Sequence, residues 1–131
     1  MKYAVILSVV ALIVFTAFSL FDDKEDSIAR GEEIYILYCQ ECHQSNGEGI
    51  EGLYPPLAGS DYLFNNIEQS IQVILMGSDG DIVVNGKTHI MDMDPIYLSD
   101  EYIADVMNYI LNTWGNSYDG IITEDNVKAL R

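Results

Sequence analysis

The 131-residue chain has few basic residues, few histidines and few cysteines. Its 6 lysines and arginines are outnumbered by 21 aspartates and glutamates, which gives a formal net charge of −15 at pH 7. Nucleic-acid binding needs a basic surface that neutralises phosphates, so this class of function is excluded. Two cysteines are too few for a disulfide-stabilised scaffold. The length fits one domain, and a hydrophobic fraction of 49% is far above that of disordered acidic chains.

The N-terminus has the pattern of an export signal. Lys2 is followed by an uncharged, mostly apolar segment over residues 3–21, and an acidic run comes next. A positive start before an apolar core is typical of secretory signals, and Ala17 to Ser19 forms a small-x-small cleavage site. The same segment is almost long enough to span a bilayer. Residues 1–21 are therefore interpreted as either a cleaved signal peptide or an N-terminal anchor in the inner membrane. Both interpretations predict a periplasmic or other extracytoplasmic location.

The chain continues with an acidic stretch and a helix. Residues 22–27 are interpreted as an acidic linker, with Asp26 or Ser27 as the N-cap of a first helix from about Ile28 to Cys39. Three glycines between residues 44 and 52 then predict a loop.

A second helix and a hairpin are predicted in the middle of the chain. Isoleucines at helical spacing favour a helix from Asp61 to Met76, with Gly77 as its C-cap. Asn85-Gly86 lies between two short β-branched runs, which is a strong signal for a two-residue hairpin turn. We therefore expect a small β-hairpin near residues 82–90.

A third helix and a tail complete the chain. Ser99 is the expected N-cap, and apolar residues at i, i+3 and i+4 spacing continue to Trp114, after which Gly115 ends the helix. Residues 116–131 are interpreted as a C-terminal tail with one further short helix.

The chemistry is carried by the C-x-x-C-H sequence at Cys39, Cys42 and His43, which is typical of c-type haem attachment. Two thiols at this spacing reach the two vinyl groups of one porphyrin edge, and the adjacent imidazole lies under the ring. A zinc site would need two more Cys or His ligands, and only His89 is left. A thioredoxin-like pair would lie beside a βαβ pattern, which is absent, and a disulfide would leave His43 unexplained. We predict one haem c, bound covalently through both cysteines.

The residues around this motif resemble those of a class I cytochrome c. The shared features are Gly31-x-x-x-Tyr35, the C-x-x-C-H motif, the glycine loop, Pro55-Pro56-Leu57, a late methionine, and a closing helix with Tyr109 and Trp114. More narrowly, the chain is similar to small bacterial periplasmic cytochrome c domains, which occur as free carriers or as modules of oxidoreductases such as copper nitrite reductases. The resemblance implies a mono-haem domain over residues 28–115. It implies an all-α fold with orthogonal helices around one covalently bound haem, to which the hairpin is a small insertion.

The resemblance also implies roles for individual residues. His43 would be the proximal iron ligand, with its second ring nitrogen held by the carbonyl of Pro55. Leu57 would pack on the haem ring. Gly31 would be the small residue at which the first and last helices cross.

The resemblance implies a methionine thioether as the sixth ligand, and Met93 has the expected spacing before the Leu-Ser-Asp start of the last helix. The family usually has a proline directly after this methionine, whereas here Asp94 intervenes before Pro95. Because of this difference, Met91 remains an alternative.

His89 or an open site remain further alternatives for the sixth position. We expect His89 to be a solvent-exposed residue of the hairpin. Met76 and Met107 lie in predicted helices and are interpreted as core residues.

Iron with two protein ligands has no vacant position for a substrate, so we predict electron transfer and not catalysis. The leading hypothesis is a one-electron carrier with His43 and Met93 as ligands, shuttling electrons between periplasmic or membrane redox partners. The alternatives are a fixed cytochrome c subunit of a larger oxidoreductase, and a haem sensor or peroxidase with an open sixth site. The negative charge predicts partner proteins with basic docking surfaces, and residues 3–21 offer a membrane contact.

Overall fold

A computed structural model describes residues 23–131, which form helices and one small antiparallel hairpin. The predicted signal peptide or anchor over residues 1–21 lies outside the described residues. In chain order the elements are α1 (described over residues 23–38), α2 (Gln40–His43), α3 (Asp61–Asn65), α4 (Ile67–Met76), β1 (Ile82–Val84), β2 (Lys87–His89), α5 (Asp100–Leu111) and α6 (Glu124–Lys128). The predicted fold class, mainly helical with a hairpin, is confirmed.

The acidic stretch belongs to the first helix. Residues 23–27 are helical, so the predicted linker (residues 22–27) is wrong for these five residues, and the predicted N-cap at Asp26 or Ser27 is wrong as well. Ser27 is buried, and its hydroxyl donates to the carboxylate of Asp105 at 2.6 Å. Arg30 donates two hydrogen bonds to the same carboxylate, at 2.7 and 2.9 Å. These contacts between α1 and α5 stabilise a helical turn that sequence composition alone does not favour.

The helices α1 and α5 cross in close contact at Gly31. A Cβ atom at Gly31 would lie 2.0 Å from the backbone oxygen of Asp105 and 2.8 Å from Cβ of Tyr109, so only glycine fits. Beside the crossing, the ring centroids of Tyr35 and Tyr109 are 5.4 Å apart, and those of Tyr35 and Trp114 are 4.8 Å apart. The expectation of a small residue at this crossing is confirmed.

The single helix predicted from Asp61 to Met76 is two helices, α3 and α4. The break is at Asn66, whose φ of −145° and ψ of 61° are not helical. Asparagine competes with the helix backbone for hydrogen bonds and favours helix ends, which explains the break. Gly77 ends α4 with a φ of +78°, as predicted.

The hairpin has the predicted two-residue turn. Asn85 and Gly86 both have positive φ values, 52° and 74°, and the strands pair so that Val84 lies opposite Lys87 and Ile82 opposite His89. The second strand begins and ends one residue earlier than the run from Thr88 to Ile90 suggests.

The helix α5 begins as predicted and ends early. The hydroxyl of Ser99 accepts a hydrogen bond from the backbone N–H of Tyr102. The helix ends at Leu111, before the predicted end at Trp114. Trp114 has a φ of +51°, which turns its indole onto Gly47, and its Nε1 donates to the backbone oxygen of Ser45 at 3.1 Å.

The C-terminal tail packs into the same core as the preceding domain. Asn108 of α5 exchanges two hydrogen bonds of 2.8 Å with the backbone of Ile122, and Val127 of α6 is fully buried. The expected short helix is present, and Thr123 and Asn126 form its capping box.

Candidate functional site

An apolar cleft opens between α2 with its following loop, α4, the hairpin and α5. Of the predicted site residues, those that line it are Cys39, His43, Pro55, Leu57 and Met93. The rest of the lining is mostly aliphatic, from Val73, Ile74, Ile82, Val84, Met107 and Ile110 among others. The cleft suits a large apolar cofactor, since such sites combine a mainly hydrophobic wall with a few polar groups.

The C-x-x-C-H residues lie on one short helical turn. The backbone N–H groups of Cys42 and His43 donate to the oxygen of Cys39, at 3.3 and 2.9 Å. Cys39 precedes Cys42 by three residues and His43 by four, so the side chains of both can lie close to that of Cys39. Cys42 does not line the cleft itself and is half-buried beside Tyr54.

The thiol of Cys39 lies in a buried environment that disfavours its thiolate form. Burial, together with the neighbouring Cys42, raises the pKa of the Cys39 thiol to about 12. Redox-active cysteine pairs need a lowered thiol pKa, because the thiolate is the nucleophile. The structure therefore disfavours the thioredoxin-like alternative for this motif.

One ring nitrogen of His43 is anchored, and the other is left to bind a metal. It is buried, and its Nδ1 lies 3.0 Å from the backbone oxygen of Pro55, to which it donates as the neutral tautomer. Burial lowers the pKa of His43, and the hydrogen bond to Pro55 opposes this shift without cancelling it. The neutral imidazole then offers Nε2 as the free donor atom.

The glycine loop supports Pro55 from behind. A Cβ atom at Gly49 would lie 2.4 Å from the backbone oxygen of Tyr54 and 2.6 Å from that of Pro55. The backbone oxygen of Gly47 accepts hydrogen bonds from the N–H groups of Leu57 and its neighbour, at 2.7 and 2.9 Å. The close approach at both glycines fixes the carbonyl that orients His43.

Asn116 also holds this segment, and sequence analysis missed it. Its Nδ2 donates to the backbone oxygens of Leu57 and Ile110, at 3.0 and 2.8 Å, and its Oδ1 accepts from the N–H of Gly59 at 2.8 Å. A single asparagine in a non-periodic tail has no sequence signal for such long-range bonds.

The methionines differ in their environment. Met93 lines the cleft and is half-buried, whereas Met91 is exposed and is not among the lining residues. Met107 is buried in α5, as expected, and also lines the cleft. Met76 is 61% exposed, so its interpretation as a core residue is wrong.

His89 is buried, and the expectation of a solvent-exposed histidine is wrong. Only 2% of it is exposed, and within the described chain neither ring nitrogen has a hydrogen-bond partner. The residues after β2 pack against an earlier loop, where Ile90 and Met91 donate to the backbone oxygens of Gly52 and Leu53. This long-range contact begins directly after His89, and the local sequence does not reveal it. His89 does not line the cleft.

Membrane-spanning helices and clusters of charged metal ligands are both absent from residues 23–131. No helix there has the length and apolar character needed to cross a membrane. No group of three or more His, Cys, Asp or Glu side chains in the same range is arranged to hold a metal ion.

Comparison with known proteins identifies the class that this fold and site define. The family model described as Cytochrome c matches residues 28–114. The chain therefore belongs to the cytochrome c family. It is a class I mono-haem cytochrome c, an electron-transfer protein and not an enzyme, and it carries one covalently attached haem c at the motif of Cys39 and Cys42.

Two similar proteins, both from Thermus thermophilus, are named cytochrome c-552. One is 39% identical over 88% of this chain and 83% of its own length. The other is 40% identical over 79% of this chain and 85% of its own length. The cytochrome c subunit of the quinone alcohol dehydrogenase of Gluconobacter oxydans is 30% identical over 77% of this chain. The chain spans only 22% of that subunit.

Proposed function

We propose that this protein is a one-electron carrier in which His43 and Met93 are the axial ligands of the haem iron. The observation that carries this proposal is that both side chains line one apolar cleft, beside Cys39 of the attachment motif. The bound haem supplies the Fe(III)/Fe(II) couple. Cys39 and Cys42 would hold one edge of it, and Leu57, which lines the same cleft, would pack against its ring.

The chain tunes this couple through its ligands and its cleft. The hydrogen bond from Nδ1 of His43 to Pro55 keeps the imidazole in one orientation and in one tautomer. The Met93 thioether is a soft ligand, which favours the ferrous state. The aliphatic wall excludes water and disfavours the extra positive charge of the ferric state, so both effects raise the reduction potential.

Electrons would leave through the edge held by the cysteines. Cys39 and Cys42 are half-buried, so this side of the cleft reaches the surface. Four exposed apolar side chains, which we name the apolar rim, lie on the loop that leads to Tyr54 and on the segment bonded to that loop: Ile50, Leu53, Ile90 and Met91. An apolar rim permits close, weakly hydrated contact with a partner's cofactor.

The partners are redox proteins, and we propose that their docking surfaces are basic. The net charge of −15 supports electrostatic steering of a basic partner. Near the apolar rim, Glu48 is exposed, whereas Glu51 is paired with Lys87 at 2.7 Å and contributes less. Asp79 and Asp81 add exposed charge before the hairpin. The bimolecular electron-transfer rate should fall as ionic strength rises, and a salt-independent rate would contradict basic docking.

A fixed subunit is the second candidate function. It is supported by the apolar rim and by the similarity to a dehydrogenase cytochrome subunit. Size-exclusion chromatography of native extract at high salt separates the two candidates. A haem protein that elutes alone is a free carrier, and one that stays with a larger oxidoreductase is a subunit.

We infer an extracytoplasmic location from the export-signal pattern of residues 1–21. Intact mass spectrometry of the purified native protein tests this inference. It gives the cleavage site, or shows that the segment is retained, and it also measures the covalent addition of one haem.

Absorbance of the oxidised protein tests the ligand assignment. Met93→Ala should abolish the weak red band that is typical of methionine bound to ferric iron, and Met91→Ala, the matched control, should keep it. Loss of the band only in Met91→Ala would contradict the assignment. A parent protein that is high-spin and readily binds cyanide would indicate an open sixth site, as in a sensor or peroxidase.

A further inference from the structure

The loop that carries Met93 is joined to the end of α4 by backbone hydrogen bonds. The N–H of Ser78 donates to the backbone oxygen of Met93 at 2.9 Å, and the N–H of Met93 donates to that of Ser78 at 3.1 Å. This reciprocal pair is an isolated antiparallel bridge outside the hairpin. Three residues further on, the N–H of Ile96 donates to the oxygen of Ile74 at 2.9 Å.

Gly77 permits this contact. A Cβ atom there would lie 2.5 Å from the backbone oxygen of Met93 and 2.9 Å from Cδ of Pro95. The positive φ of Gly77, +78°, does not by itself explain this close approach, because another glycine with a similar φ has open space beside it. Gly86 has a φ of +74° and no atom within 4 Å of its Cβ position. The backbone of the methionine loop therefore occupies the space that a side chain at position 77 would need.

We propose that Gly77 and Ser78 are positioning residues that fix Met93 in its ligating position, and we name their backbone contacts with Met93 the Met93 clamp. The proposal rests on the proposed function, in which Met93 is the sixth ligand. The segment from 90 to 98 has no helix or hairpin strand to hold it. An axial ligand must keep its position within a fraction of an ångström, so an irregular loop needs such a hold.

The oxidised protein should depend most on the clamp. A thioether is a soft ligand and binds ferric iron less strongly than ferrous iron. When iron is oxidised, the bond itself therefore contributes less to holding Met93, and the backbone contributes relatively more. With a loosened clamp, Met93 should dissociate from ferric iron first. Because the thioether raises the reduction potential, losing it from the ferric state should lower the potential.

Substitutions at two positions test the clamp in the full-length holoprotein. Ser78→Pro removes the N–H that donates to Met93, and Gly77→Ala forces the loop away. Ser78→Ala is the matched control for the first, because it keeps both backbone bonds and the Ser78 hydroxyl forms no hydrogen bond within residues 23–131. Gly86→Ala is the control for the second, because it adds the same strain at positive φ away from the loop.

The readouts are the red band of the oxidised protein, the reduction potential, and the affinity of ferric iron for added imidazole. Imidazole binds when Met93 dissociates, so its affinity reports the population of the open loop. Ser78→Pro and Gly77→Ala should raise this affinity at least tenfold, which corresponds to ~1.4 kcal/mol, and lower the potential. Both control variants should stay within about twofold of the parent.

The outcomes separate this proposal from the ligand assignment. If Met93→Ala leaves the band and the imidazole affinity unchanged, the ligand assignment fails. If Met93→Ala changes both and the two clamp variants match their controls, only the clamp fails. Should a clamp variant not assemble with haem, hydrogen exchange in the parent holoprotein decides: the Met93 N–H should be strongly protected, and free exchange would overturn the clamp.

Discussion

Replacing Gly31 with alanine should separate α1 from α5 and destabilise the protein. The new Cβ atom would lie 2.0 Å from the backbone oxygen of Asp105, and an ordinary carbon–oxygen contact is about 3.3 Å, so α1 must move by ~1.3 Å. The bonds from Ser27 and Arg30 to the buried carboxylate of Asp105 are 2.6 to 2.9 Å long, and this movement would break or weaken them.

The magnitude follows from opposing contributions. Overpacking costs ~1 to 3 kcal/mol, and each weakened hydrogen bond to Asp105 adds ~1 kcal/mol. Alanine is a better helix former than glycine, which raises the free energy of unfolding by ~1 kcal/mol. With three hydrogen bonds to Asp105 weakened, we expect a net loss of ~3 to 5 kcal/mol in the free energy of unfolding, which lowers the melting temperature by ~15 °C or more for a domain of this size.

Thermal unfolding of the reduced holoprotein, followed by circular dichroism, measures this effect. Glu33→Ala is the control, because it places the same alanine on the exposed side of α1 and should change the free energy by less than ~0.5 kcal/mol. If the crossing is not tight, the helix-propensity gain alone remains. A melting temperature of Gly31→Ala equal to or above that of the parent would therefore refute the reasoning.

Three further predictions concern side chains away from the ligands. His89→Leu should raise the free energy of unfolding by ~1 kcal/mol, since both unpartnered nitrogens leave the interior; a lower melting temperature would reveal a partner that the chain does not supply. Asn116→Ala should lower the free energy of unfolding by ~2 kcal/mol and shift the reduction potential, because Asn116 holds the segment that contains Leu57. The control Asn112→Ala should lower the free energy of unfolding alone. A reduction potential of Asn116→Ala equal to that of the parent would contradict the prediction. Lys87→Ala should leave the midpoint of urea unfolding unchanged, because its pair with Glu51 is exposed to solvent, and a clear fall in the midpoint would contradict this.

Local chemistry explains what the sequence could predict. The C-x-x-C-H motif, the Asn85-Gly86 turn and the caps at Gly77 and Ser99 each depend on a few neighbouring residues. Their residue types restrict the backbone or supply a specific ligand atom, so the pattern itself carries the information.

The wrong predictions concern residues whose state depends on distant segments. Residues 23–27 looked like a linker because they are acidic, but Ser27 bonds to Asp105, far along the chain. His89 looked exposed because it is polar and lies beside a turn, but it is buried, and the residues that follow it bond to the loop around Gly52. No local pattern records either contact.

The glycines demonstrate the same limit within the site. Gly77 and Gly86 both have positive φ and both follow a typical turn or cap signal, so the sequence treats them alike. They differ only in what lies beside them: the Met93 backbone at Gly77, and open space at Gly86. One glycine therefore terminates a helix and also leaves room for the Met93 loop, while the other only closes a turn. Sequence patterns can thus single out candidate ligand residues, but the contacts that hold such residues in place emerge only from the packing of residues 23–131.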